Sequence, residues 1–134
     1  MPSFGKQSKD RLDTCHPTLR AVFTTVIRFI DCAIIDGYRT KERQTIYFQE
    51  GKSRVQWPNG KHNKVPSLAV DVVPYVNGAV SWKKEHCIYL AGVVMGVSAE
   101  MGVPVRWGGN WDMDGEVITD QSFQDLVHYE IVEV

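Results

Sequence analysis

The chain has 134 residues, 43% hydrophobic and 23% charged, with a net charge of −1. That is the make-up of one globular domain with a real core, and its scattered basic residues leave no electrostatic footprint for nucleic acid. No run of 18 apolar residues is present to insert in a membrane, and Met1 to Arg11 lacks the apolar stretch of a secretory signal. Residues 1–10 are expected to form a loose or weakly helical arm. His16-Pro17-Thr18 predicts a helix start, because proline is tolerated in a first turn. Leu19, Val22, Phe23, Val26, Ile27 and Ile30 follow at the spacing of one helix face. Cys32 to Ile35 reads as a buried strand, Asp36-Gly37 as a turn, and Lys41 to Glu50 as a polar helix. Residues 51–66 hold Gly51, Pro58, Asn59, Gly60 and Pro66, a long loop of the kind that often carries function. Leu68 to Val73 has a strand pattern ended by Pro74, and Asn77-Gly78 begins a hairpin return through Ala79-Val80. Trp82 to about Met101 reads as a second long helix, stopped by Gly102. Val103 to Trp107 and Val127 to Val132 are the last strands, with the loop Gly108 to Asp112 after the first of them.

These elements predict an α+β fold, a small and mainly antiparallel sheet with helices packed on it, in a single domain over 1–134. A monomer is expected. Cys15, Cys32 and Cys87 include no Cys-x-x-Cys, so buried free thiols are expected rather than a metal cluster or a disulfide framework.

Three residues stand out as candidate metal ligands: His62, Asp71 and His128. On the strand Leu68–Val73, Asp71 shares a face with Ala69 and Val73, while Leu68, Val70 and Val72 share the other. A carboxylate in that setting is costly unless paired or coordinated, and pairing with an arginine or exposure at a sheet edge explains it as well. On the last strand His128 and Glu130 share a face, and a strand histidine is commonly just hydrogen-bonded. His62 lies in the polar loop, where plain exposure is the alternative. His16 and His86 have no such context. As a set, two histidines and one carboxylate suit a catalytic zinc, which takes three protein ligands and leaves one position for water. Asp125, three residues before His128, would then be free to act on that water.

Four segments, in order over roughly residues 33–132, resemble the zinc peptidases that include phage L-alanyl-D-glutamate endopeptidases and the D-alanyl-D-alanine carboxypeptidases and dipeptidases. Asp36-Gly37-Tyr38-Arg39-Thr40 with Arg43-Gln44 resembles their Gly-Tyr-Arg-Ser/Thr element and the helix after it. His62-Asn63…Pro66-Ser67-Leu68-Ala69-Val70-Asp71 resembles the first two zinc ligands. Arg106-Trp107-Gly108-Gly109-Asn110-Trp111 resembles the Trp-Gly-Gly-x-Trp loop, and Asp125-Leu126-Val127-His128-Tyr129-Glu130 resembles the acidic base with the third ligand. The histidine and first aspartate are nine apart where many members have seven. The Pro66-Ser67 form and an aspartate base resemble the phage branch. Gly60 stands where a substrate-contacting serine is common, and Asn110 where an aspartate is common, so neither receives a role.

The resemblance implies a zinc site on the sheet and adjoining loops, held by His62, Asp71 and His128, with Asp125 as general base and Arg39 stabilising the oxyanion. It implies cleavage of the peptidoglycan stem between L-Ala and D-Glu, with Tyr38, Trp107 and Trp111 as candidate groove residues. Arg43 and Gln44 are expected to be structural. Without a leader or a wall-binding module, the expected setting is a phage lysin made in the host cytoplasm and released to the periplasm. A D,D-carboxypeptidase and a non-catalytic zinc-containing wall-binding domain remain as alternatives.

Overall fold

The computed structural model describes residues 2–113, 115 and 124–132. The chain runs α1 (Lys6–Leu12), α2 (Pro17–Val26), β1 (Cys32–Asp36), α3 (Lys41–Gln49), a short 3-10 turn (Lys61–Asn63), β2 (Ala69–Val76), β3 (Ala79–Val80), α4 (Lys84–Met101), β4 (Val105–Trp107) and β5 (His128–Ile131). The strands lie in the order β1-β2-β5-β4, all neighbours antiparallel, with β3 a hairpin return on β2. This is the expected α+β arrangement.

Local chemistry sets the ends of these elements. The ring of His16 caps α2, its Nδ1 accepting from the Thr18 amide at 3.1 Å, with Pro17 in the first turn. Gly102 ends α4 at φ 69°, a left-handed conformation glycine adopts without strain. Asn77 and Gly78, both at positive φ, make the tight turn between β2 and β3. Strand β2 runs on through Pro74 to Val76 rather than stopping there. By that point β5, which pairs only with Ala69 to Asp71, no longer runs beside it, so the missing proline N–H breaks no bond to β5.

The N-terminal segment takes the helical form of the two that were expected. Lys6–Leu12 is a helix docked on β1, where Ser8 Oγ accepts from the Ile34 amide at 3.0 Å and Arg11 Nη1 donates to the Ile34 carbonyl at 3.1 Å.

The core lies between one face of the sheet and helices α2 and α4. Cys32 and Ile34, Val70 and Val72, Val105 and Trp107, Tyr129 and Ile131 point into it, against Leu19, Val22, Phe23, Val26, Leu90 and Val94. The period of two along each strand then sends Asp71, Arg106, His128 and Glu130 to the opposite face. The three cysteines are buried and free. Among the described residues no helix is long and apolar enough to cross a membrane.

Candidate metal centre

Two rows of cross-strand neighbours build the site. In the first, Asp36 on β1 lies opposite Asp71 on β2, which lies opposite His128 on β5. In the second, Ala69 lies opposite Glu130, which lies opposite Arg106 on β4. The first row depends on a bulge. Ile34 pairs with Val72 but Asp36 pairs with Asp71, so β1 advances two residues while β2 advances one. That extra residue brings a second carboxylate beside Asp71.

Two facing carboxylates repel unless a cation joins them, and Arg39 does so. Its Nε donates to Asp36 Oδ2 at 2.9 Å, its Nη2 to Asp71 Oδ2 at 3.1 Å, and its Nη1 to Gln44 Oε1 at 3.0 Å. The guanidinium is buried and lies 4.4 Å from the Tyr47 ring centre. A planar fork can meet three acceptors at once in a way a lysine cannot. Arg43 adds a second cation to Asp36 at 2.9 Å. Gln44, buried, binds Ser53 and the Val55 carbonyl and so ties α3 to the loop after it.

His62 arrives from the 3-10 turn. The Arg39 amide donates to the His62 carbonyl, and Asn63 Nδ2 donates to the Arg39 carbonyl, so the His62 and Arg39 segments are joined at the Arg39 backbone. Gly37 must be glycine because a Cβ there would collide with Thr14 and the Arg11 carbonyl. Its own carbonyl lies 2.7 Å from His62 Nδ1.

Both imidazoles are oriented by the ring nitrogen that faces away from Asp71. His62 Nδ1–H donates to Gly37, and His128 Nε2–H donates to Glu130 Oε1 at 2.8 Å. The other nitrogens converge on one oxygen, with His62 Nε2 at 3.2 Å and His128 Nδ1 at 3.3 Å from Asp71 Oδ1. All three atoms lie within 4.8 Å of one another. Tetrahedral bonds of about 2.0–2.1 Å separate ligand atoms by about 3.3 Å, so these spacings fit a zinc-sized ion. Either a proton on an imidazole or a bound cation can join these nitrogens to the carboxylate oxygen, and the group could hold a metal ion. A nitrogen-rich set suits zinc better than calcium or magnesium.

Electrostatics follow from these contacts. Burial alone would raise the Asp71 carboxyl, but His62 and His128 outweigh it and hold it well below the usual range. Burial would lower His128; its bonds to Asp71 and Glu130 win and raise it to about 9. Burial would likewise raise Glu130, and the donors His128 and Arg106 hold it at about 2. Asp125 moves the other way. Burial raises its pKa, and the negative Asp71 nearby adds to the rise. A carboxylate pushed upward beside a group that could hold a metal is suited to accept a proton.

Asp125 is placed by the loop after β4. Its amide donates to the Gly108 carbonyl at 3.0 Å, its carbonyl accepts from His128 N at 3.1 Å, and Gly108 N donates to His128 O. A Cβ on Gly108 would collide with the Asp125 backbone, and one on Gly109 with the Trp107 ring. Trp107 is buried in the core and donates its indole N–H to the Leu126 carbonyl. Trp111 lies at 5.4 Å from the His128 ring and lines the groove. Tyr38 is half-buried, binds Thr14 through its amide, and is not among the described groove-lining residues. His16 and His86 are engaged elsewhere, with the Thr18 amide and with Ser81.

The groove has a volume of about 1080 Å³ and runs from Tyr47 and the 51–55 loop, past Arg39, to His62, Asp71, His128 and Asp125. Sequence reasoning missed Glu130, Lys61 and Arg106 as a group around His128. The available signal was Glu130, two residues after His128 and hence on its face.

An open groove lined by two histidines and two carboxylates has the donor set that a metal-assisted hydrolase would use. The chain belongs to the phage L-alanyl-D-glutamate peptidase family, whose model matches residues 2–132. A relative, the L-alanyl-D-glutamate peptidase of Escherichia phage T5, is 27% identical over 116 residues, 84% of each chain. The fold also matches the crystal structure of the L-Ala D-Glu endopeptidase ChiX of Serratia marcescens, at a TM-score of 0.76 and 26% identity, covering 96% of this chain and 90% of that one.

Proposed function

We propose that this protein is a zinc-dependent endopeptidase that hydrolyses the L-Ala–D-Glu bond of the peptidoglycan stem, acting as a phage lysin. The observation that carries the reading is the convergence of His62 Nε2, Asp71 Oδ1 and His128 Nδ1 at the end of a groove that Asp125 also lines. Zinc, when bound by those three residues, supplies the Lewis acidity that activates water at neutral pH.

The other steps belong to the chain's own groups. Asp125 takes the proton of the attacking water and returns one to the departing amine, a role its raised pKa favours. Arg39 keeps Asp71 Oδ2 occupied, which leaves Oδ1 toward the histidines. Its permanent positive charge on the groove wall stabilises the negative charge that develops on the scissile carbonyl oxygen. Trp111 forms a wall of the substrate site. In this reading the molecule is a monomer, made in the host cytoplasm and working on the wall from the periplasm.

Digestion of purified peptidoglycan with mass analysis of the products tests this. Fragments bearing a new N-terminal D-Glu are expected, lost on chelation and regained with zinc. Release of terminal D-Ala alone would mean a D,D-carboxypeptidase. No release by zinc-loaded protein would mean a wall-binding domain.

A further inference from the structure

We infer that Glu130 is a positioning residue of the metal centre, fixing His128 as an Nδ1 donor and clamping together the two segments that carry the histidines. The inference rests on the His62–Asp71–His128 metal reading.

A histidine can present either ring nitrogen, and which one is free depends on what holds the other. Here Nε2–H of His128 is taken by Glu130 Oε1 at 2.8 Å. Strand alternation puts Glu130 on the His128 face, two residues along, where it can reach that nitrogen. The second oxygen of Glu130 is held by two cations, Arg106 Nη2 at 2.7 Å and Lys61 Nζ at 3.3 Å. Arg106 is its cross-strand partner on β4, and its guanidinium stacks 5.5 Å from the Trp111 ring. Lys61 immediately precedes His62 and also donates to the Ile131 carbonyl. One carboxylate therefore orients the third ligand directly and holds the segment of the first ligand onto β5. With both oxygens committed to donors, Glu130 is built to orient rather than to exchange protons with substrate.

The test is zinc affinity of the full chain, measured by competition with a chromogenic chelator. Glu130→Ala should bind zinc about 10–100-fold more weakly than wild type, the usual cost of losing such a partner. His128→Ala checks the underlying reading separately. If it binds zinc as wild type does, the ligand set itself is wrong. If His128→Ala loses zinc while Glu130→Ala keeps wild-type affinity, the positioning role is overturned. Should Glu130→Ala fail to fold, long-range ¹⁵N spectra of the imidazoles in zinc-loaded wild type decide. Nε2–H with coordinated Nδ1 at His128 is expected, and Nδ1–H with coordinated Nε2 would overturn the proposal.

Discussion

Asp125 and Arg39 are the two residues whose roles separate most cleanly by substitution. Asp125→Ala removes the proposed base but none of the three proposed ligands. Turnover should fall by roughly 10²–10⁴, the usual range for acid–base catalysis, with zinc still bound. Near wild-type hydrolysis by the zinc-loaded variant would remove Asp125 from the mechanism. Arg39→Lys keeps the charge and loses the fork. A single ammonium cannot span Asp36, Gln44 and Asp71, so at least one charged hydrogen bond is lost in a buried setting. A loss of about 2–3 kcal/mol in stability is expected from denaturant unfolding, together with lower turnover. Because Nη2 sits on Asp71, the proposed ligand carboxylate, zinc affinity should fall as well. An unchanged unfolding midpoint and rate would reduce Arg39 to a bystander. At this scale the sequence was informative about residue type. His62, Asp71, His128 and Asp125 were all singled out by chemistry and order. What it lacked was the partner of each, since Asp36, Gln44 and Glu130 meet their neighbours only after folding.

At the scale of elements, alternation along β2 and β5 was legible, because a strand's period is two wherever the strand lies. Register was not. Nothing local to Cys-Ala-Ile-Ile-Asp says that β1 bulges, yet the bulge is what sets Asp36 opposite Asp71. The long loop after α3 was visible from its glycines and prolines, but not its role as a groove wall. Helix α1 was legible only as a loose or weakly helical arm, because a seven-residue polar helix has little periodic signal and its stability comes from docking on β1. The turn from β4 to the loop makes a sharper test. Gly108→Ala would push the Asp125 backbone aside, since the added Cβ has no room. We expect a loss of about 1–3 kcal/mol from overpacking, and a fall in turnover as Asp125 moves. If calorimetry and hydrolysis rates both matched wild type, the close contact would have no consequence for the site.

For the whole molecule, the charges around the centre set opposite pH limits in chelated protein. Glu130 is depressed in the fold, from 4.5 to about 2, so its contribution is present above pH 4.5 and fades as the pH falls toward 2. His128 is raised, from 6.5 to about 9, so its contribution is complete below pH 6.5 and fades as the pH rises through 9. Metal-free protein should therefore be most resistant to urea between about pH 4.5 and 6.5. Zinc requires a neutral His128 and should restore stability on the alkaline side, by about 4 kcal/mol at a thousandfold excess over its dissociation constant. Urea midpoints measured across pH, with and without zinc, check this. A metal-free midpoint that stays flat from pH 6.5 to 9 would contradict it.

Helix α1 has a bearing on how copies of this molecule meet one another. Strand β1 ends the strand order, and an end strand offers its open amides and carbonyls to any passing chain. Ser8 and Arg11 already occupy both backbone groups of Ile34, in the middle of that strand. A strand from a second copy finds no vacant pair there to zip onto. Side chains remote from the groove thus blunt this edge of the sheet against the fibrous stacking to which exposed β edges are prone.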